Sequence, residues 1–225
     1  QSLTSAATAA RHRRAHSATN NPLGTYRFEP TALLHDGPWS RVYRVRPTGS
    51  PAARAMPSGH GQYALKTPAP EAADALAAEN MRRREATVMR AVSQAHVLPL
   101  LDGQFRSPPY YLLTPFLEGA TLGDVLAAGL RVPVRHALWI ARKPAQSLDA
   151  LHTAGWVHGD LKPANIHVAP SGHVTLLDLA MARRVDARAA DRPIAFAGTL
   201  TYAAPEQLQT KVPVDPRSDI YSLGV

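Results

Sequence analysis

The segment His158-Gly159-Asp160-Leu161-Lys162-Pro163-Ala164-Asn165 gathers an acid, a cation and an amide into one short run, and Asp178 follows thirteen residues after Asn165. Asp160, Asn165 and Asp178 offer hard oxygen ligands and a base, and Lys162 sets a positive charge among them. Such a mixture suits Mg2+ and a polyphosphate, where catalysis is positioning plus neutralisation of charge. A polar loop after a helix would supply any one of these residues. It does not account for a strand lysine, Lys66, and a helix glutamate, Glu85, falling upstream at fitting places.

The chain that must position these groups has 225 residues, 45% of them apolar, enough to bury the core of one domain or two small lobes. It has no cysteine, which excludes a disulfide scaffold, thiolate metal sites and a cysteine nucleophile. No apolar run approaches the roughly 18 residues of a membrane span, and the N-terminus lacks the apolar centre of a signal peptide. The formal charge is +8, yet only four of 25 basic residues are lysine: Lys66, Lys143, Lys162 and Lys211. With the heavy use of alanine and proline, this reads as a coding bias rather than a phosphate-binding surface, and no nucleic-acid partner is expected.

Residues 1–24 hold no acidic residue and no period, and read as a disordered basic leader or linker. Strands are expected over 26–34 and 39–45, separated by the turn-forming His35-Asp36-Gly37-Pro38. Residues 46–61 form a Pro/Gly-rich loop far longer than the usual hairpin connection of about 2–5 residues. A short strand over 62–67, a helix over 71–95 and strands over 97–105 and 110–115 follow. After Glu118-Gly119 the character turns helical. Leu138, Ala141, Ala145, Leu148 and Leu151 form an apolar stripe on a helix over 134–154, in which Pro144 should cause a kink at a cost of about 3 kcal/mol. Short strands are expected over 166–168 and 174–177.

On these residues the chain resembles the eukaryotic-like (Hanks-type) serine/threonine protein kinases of bacteria. Tyr63-Ala64-Leu65-Lys66 is similar to the family's Val-Ala-Ile-Lys strand, which implies Lys66 on the α- and β-phosphates of ATP. Glu85 falls where the ion-pairing helix glutamate is expected, ahead of Glu79. The resemblance makes Asp160 the catalytic base and Lys162 the lysine on the transferred phosphate. It makes Asn165 and Asp178 the ligands of Mg2+ (or Mn2+). Thr199 to Glu206, ending in Ala204-Pro205-Glu206, is similar to the substrate platform, and Asp219 to the start of the buried central helix. By register Thr114 is the gatekeeper, Phe116 and Leu117 lie in the hinge, and Gly37, Val42, Ala64 and His167 complete the ATP site. Asp124 reads either as a contact to ribose or substrate or as a carboxylate at a helix N-terminus. Met89, Leu100, His158 and Leu179 fit the hydrophobic stack between the lobes. The implied fold is α+β and bilobal: a β-rich small lobe over 25–115 with one helix, a hinge over 115–119 and a mainly helical large lobe over 120–225. The motif order places Val225 inside the central helix, so a catalytic domain cut short at its C-terminus is expected.

The family pattern is broken in four places. The phosphate-covering loop keeps only Gly37; His35 and Ser40 replace its other glycines, Pro38 removes an amide donor and Asp36 adds negative charge. Gly159 replaces the arginine that receives an activating phosphate. Residues 179–198 contain no Ser, Thr or Tyr, so no phosphorylation switch is expected there, and Thr199 is expected to bond Asp160 and Lys162. Asp-Phe-Gly has become Asp178-Leu179-Ala180, and His167 stands where a leucine usually lies under the adenine.

The resemblance implies ATP-dependent phosphorylation of Ser/Thr residues in a protein substrate, in the cytoplasm or on the cytoplasmic part of a larger membrane-anchored kinase. Two alternatives stay open: a pseudokinase-like ATP-binding scaffold, suggested by the degraded glycine loop, and a small-molecule phosphotransferase of the aminoglycoside or choline type, whose loop also reads His-Gly-Asp. Lys162 and Ala204-Pro205-Glu206 argue against the latter.

Overall fold

The computed structural model describes residues 28–48, 62–185, 199–209 and 215–225. The expected leader over 1–24, most of the loop 46–61 and residues 186–198 lie outside the described residues.

The first half folds as a five-stranded sheet in the order β1-β2-β3-β5-β4, with β1 Phe28–Asp36, β2 Ser40–Pro47, β3 Tyr63–Pro68, β4 Asp102–Gln104 and β5 Tyr111–Pro115. All neighbours are antiparallel. Strand alternation sorts the side chains by face. Tyr43, Val45, Tyr63 and Leu65 enter the small-lobe core with Phe28 and Leu113. Val42, Ala64 and Lys66 take the opposite face, with Val42 beside Lys66 and Ala64 beside Thr114.

Helix α1 spans Ala75–Ala91, shorter than expected at both ends. Asp74 caps it by accepting from the Ala77 N–H at 2.9 Å, and Val92 leaves the helix in an extended conformation. Its buried stripe, Ala78, Arg82, Glu85, Ala86 and Met89, follows the three- and four-residue helical step and so turns Glu85 inward. The expected strand over 97–105 is only half realised. Residues 102–104 form β4, but Val97 pairs in parallel with Leu176 of the other lobe, and Leu98 N–H donates to the Leu176 carbonyl at 3.1 Å. Pro99, which lacks a donor, separates the two pairings.

Beyond Pro115 lie β6 Ala120–Thr121, α2 Leu122–Ala127, α3 Val134–Thr153, β7 Trp156–Val157, β8 Ile166–Val168, β9 Val174–Leu176, β10 Arg183–Arg184 and α4 Pro216–Gly224. β6, β8 and β9 form one small sheet and β7 and β10 another. Helix α3 runs through Pro144, and its buried positions are Ile140, Pro144, Ser147, Leu148 and Leu151. The expected stripe is thus rotated: Leu138 is 68% exposed, and Pro144 itself packs into the core. That core joins the lobes. Val88 and Met89 of α1 and Val92 just beyond it cluster with Leu148, Leu151, Leu161, Leu176 and Leu179, and Leu100 packs against them. No helix among the described residues is long and apolar enough to cross a membrane.

Candidate active site

Three elements converge on Lys66. Its Nζ lies 2.8 Å from Glu85 Oε2 on α1 and 2.8 Å from Asp178 Oδ1, just after β9. A cation from the small sheet therefore ties an acid of the helix to an acid of the large lobe. Burial alone would push the Lys66 ammonium down, but Asp178 and Glu85 outweigh it and hold it above the usual lysine range. Burial likewise pushes the Asp178 carboxyl up, and the Lys66 charge overcomes this to bring it down to about 2. For Glu85 burial wins, with Asp178 adding to it, and its carboxyl stays above the usual range despite Lys66. Asp178 is also the only non-glycine among the described residues with positive φ, at 57°. Backbone held in that sparsely populated region marks a site whose geometry the surroundings dictate.

The second group surrounds Asp160. Lys162 Nζ donates to Asp160 Oδ2 at 2.7 Å and to Thr199 Oγ1 at 2.9 Å, and Thr199 N–H donates to Asp160 Oδ1 at 3.2 Å. The expected Thr199 contacts are thus present. Asn165 Nδ2 donates to the Asp160 carbonyl at 2.8 Å. A carbonyl can only accept, so this bond fixes the amide and leaves Asn165 Oδ1 as the oxygen for a cation. The Leu177 N–H donates to the Asn165 carbonyl at 2.8 Å, which holds the Asn165 loop against the strand leading to Asp178. One carboxylate and one amide oxygen are a sparse ligand set, and no cluster of three or more His, Cys, Asp or Glu occurs among the described residues. Such a set fits Mg2+, which keeps waters and is completed by substrate phosphates.

The backbone beneath Asp160 is held by Asp219 at the start of α4. Asp219 is 1% exposed. It accepts from the His158 N–H at 2.8 Å, the Gly159 N–H at 2.9 Å and His152 Nε2 at 2.9 Å. Gly159 has φ of +77°, and a Cβ there would lie 3.0 Å from the Met181 carbonyl. Any side chain at 159 carries a backbone cost, so glycine is the unstrained residue for this turn. His158 is wholly buried, as expected of the stack between the lobes.

The remaining expected residues lie as follows. Thr114 is buried, its hydroxyl 3.4 Å from the Ala64 carbonyl, so these two expected ATP-site residues touch. The Phe116 N–H donates to the Gln62 carbonyl, and the Arg44 guanidinium, which also bonds Gln62, lies over the Phe116 ring at 4.3 Å. Leu117 is half-buried. His167 is 3% exposed and lies against Gly119, whose added Cβ would meet the imidazole at 3.1 Å. At the β1–β2 turn Gly37 N–H donates to the Ser40 carbonyl, and Arg41 Nε donates to Asp36 at 2.7 Å. The Asp36 charge is therefore paired, a partner that no motif in the turn announced. Asp124 accepts from both the N–H and the hydroxyl of Thr121, and its own N–H donates back to the Thr121 hydroxyl, which makes Thr121 the N-cap of α2 and Asp124 the carboxylate of its capping box. Pro205 is exposed and Ala204 buried. Glu206 accepts from the Ser218 hydroxyl at 2.6 Å, and Ser222 donates to the Tyr202 carbonyl at 2.7 Å, so α4 holds the platform from below. Sequence reasoning missed Gln207, whose buried amide joins Ala204 to Gly159; its position directly after Glu206 gave no signal of that reach.

Residues 52–225 match the family model described as protein kinase domain. The chain is 39% identical to the serine/threonine-protein kinase PknA of Mycobacterium tuberculosis over 125 residues, covering 56% of this chain and 28% of that protein. It is 33% identical to PknB of Mycobacterium leprae over 147 residues, 63% of this chain and 24% of that protein. With PknA of Corynebacterium glutamicum it shares 32% over 171 residues, 73% of this chain and 36% of that protein. The chain thus spans well under half the length of these relatives. The family match begins after β1 and β2, the strands that carry the altered glycine turn, yet both are built into the sheet.

Proposed function

The chain belongs to the protein kinase family, a family that uses ATP and a divalent metal, and on that premise we propose that it transfers the γ-phosphoryl group of ATP to Ser or Thr residues of a protein substrate. The observation that carries this reading is the simultaneous contact of Lys66 with Glu85 and Asp178. A phosphotransferase needs a cation and a metal-ligating acid held together where the two lobes meet, and this contact supplies both.

In this reading Gly37, Val42 and Ala64 cover the nucleotide, Thr114, Phe116 and Leu117 line its base edge, and His167 lies beneath the base. Lys66, kept charged and oriented by Glu85, takes the α- and β-phosphates. Asn165 Oδ1 and Asp178 would hold Mg2+, which would supply positive charge against the phosphate oxygens. Asp160 accepts the proton of the substrate hydroxyl as its oxygen bonds to the γ-phosphorus and the bond to the β–γ bridging oxygen breaks, releasing ADP. Lys162, 2.7 Å from Asp160, balances charge on the transferred group. Thr199 and the Ala204-Pro205-Glu206 segment seat the acceptor peptide. We take the small lobe as residues 25–115, the hinge as 115–119 and the large lobe from 120, working in the cytoplasm, where ATP is supplied.

The test is transfer of label from ATP and Mg2+ to a generic basic protein by the wild type and by Asp160→Asn. General-base catalysis contributes about 10²–10⁴-fold, so the variant should lose at least about 100-fold while still binding nucleotide. Equal background rates in the two proteins, with nucleotide bound, would favour a regulatory scaffold. Transfer to an amino-sugar but not to protein would favour a small-molecule phosphotransferase.

A further inference from the structure

Gly159 is the least constrained residue type at the most constrained point of the site, directly before Asp160. The peptide unit on its N-terminal side is held through the Gly159 N–H, which donates to Asp219 Oδ1 at 2.9 Å. The peptide unit on its other side joins the Gly159 carbonyl to the Asp160 N–H. That carbonyl accepts from Gln207 Nε2 at 2.8 Å. The opposite end of the same amide, Gln207 Oε1, accepts from the Ala204 N–H at 2.9 Å, and the Gln207 N–H donates back to the Ala204 carbonyl at 2.9 Å. Ala204 is fully buried and Gln207 is 8% exposed.

We infer that Gln207 is a positioning residue that locks the platform segment 203–208 to the peptide plane carrying Asp160. The inference rests on the phosphotransfer reading for its kinetic consequence, but not for the lock itself. Its orientation is forced by chemistry. The Ala204 N–H can only donate and the Gly159 carbonyl can only accept, so a carboxamide, with an acceptor at one end and a donor at the other, satisfies both at once whatever the pH. Glycine at φ +77° leaves the two flanking planes free to rotate in the unfolded chain, and Asp219 and Gln207 each arrest one of them. Asp160 also touches the platform through the Thr199 N–H, but that contact acts on the carboxylate, whereas Gln207 acts on its backbone.

The experiment compares wild type, Gln207→Met and Gln207→Glu in the full chain. Methionine keeps the volume and removes both bonds. Glutamate keeps the acceptor for Ala204, and donates to Gly159 only when protonated; as an anion it faces a carbonyl oxygen. Hydrogen–deuterium exchange is read in peptides covering 158–161 and 203–208, each against wild type at the same pH, and label transfer from ATP to a basic protein is followed across the same pH range. The expected result is faster exchange of both segments in Gln207→Met, with kcat lowered about tenfold or more and the KM for ATP little changed. In Gln207→Glu the Ala204 N–H stays protected at every pH. The peptide covering 158–161 is protected, and transfer restored toward wild type, only at the acid end. Wild-type exchange at 158–161 in Gln207→Met, or a Gln207→Glu profile parallel to wild type, would overturn the inference. A wild type that binds ATP but transfers no phosphate sinks the phosphotransfer reading, while the exchange pattern still decides the lock.

Discussion

Replacing Asp219 by Asn tests the claim that one buried carboxylate holds the catalytic loop. Its two oxygens receive two backbone N–H groups and the His152 ring, at 2.8–2.9 Å, with the side chain 1% exposed. Asn retains one oxygen and presents an NH2 in place of the other. If the oxygen stays on Gly159, the NH2 faces the His158 N–H, donor against donor; flipping the amide only transfers the conflict to Gly159. One charge-assisted bond, about 1.5–3 kcal/mol, is lost, and one buried N–H is left unsatisfied at about 1–3 kcal/mol. The expected destabilisation is therefore about 3–5 kcal/mol, comparable to breaking a buried pair. Urea unfolding followed by tryptophan fluorescence reads it as a lower midpoint at unchanged slope, with Trp156 close to the loop. Asp219→Ala should be of similar size, because both N–H groups lose their acceptor although none meets a donor. A loss below about 1 kcal/mol for Asp219→Asn, within the range of an ordinary surface change, would refute the claim that this carboxylate carries the loop.

Glu85 should set an acid limit on phosphate transfer: its carboxyl lies above the ordinary range, so as pH falls it takes a proton before Asp178, which sits at about 2, and Lys66 loses its helix partner first. Glu85→Gln should lower the rate and abolish that limb, as read in a pH–rate profile. The stability signs are opposite. The folded Glu85 binds a proton more readily than the unfolded one, so its contribution improves as pH falls through its raised folded pKa. Asp178 contributes above its ordinary range and loses that contribution as pH falls towards about 2. Gly159→Ala should destabilise by about 1–2 kcal/mol through its left-handed φ, with the Met181 carbonyl 3.0 Å from the new Cβ adding to it, measurable by urea unfolding. Arg41→Ala should leave the fold intact and weaken nucleotide binding by a fewfold in a fluorescent-nucleotide titration, since it frees the Asp36 charge beside the phosphates.

The chemistry-bearing residues were legible because their spacing is short and their types are distinctive. Asp160, Lys162, Asn165 and Asp178 are legible as one short polar stretch, whereas Lys66 and Glu85 are placed by the resemblance to the kinase family; the structure ties Lys66, Glu85 and Asp178 into one group and Asp160, Lys162 and Asn165 into another, joined where the Leu177 N–H meets the Asn165 carbonyl. The strands over 62–67 and 110–115 were legible for a similar reason, since alternation is a local property. What escaped was whatever depends on a distant partner. The two-residue strands β6, β7 and β10 carry too few residues for any period. Residues 96–98 look like the start of β4, yet they pair with β9, 78 residues away, as the His96–Val174 contact spans. On α3 the apolar letters suggest a stripe through Leu138, but the elements packed on this helix are β9, β7 and α4, and the positions it buries include Ile140 and Pro144.

Gly159 shows how a correct sequence observation can be given an incomplete meaning. Read along the chain, it is a missing arginine and therefore a missing switch. Read in three dimensions, it is a residue whose backbone occupies the left-handed region that favours glycine, pinned on one side by Asp219 and on the other by Gln207. The two readings concern different atoms, the lost side chain and the retained backbone. Both the donor and the acceptor of the Gly159 backbone are met within the large lobe, by a buried carboxylate and a buried carboxamide.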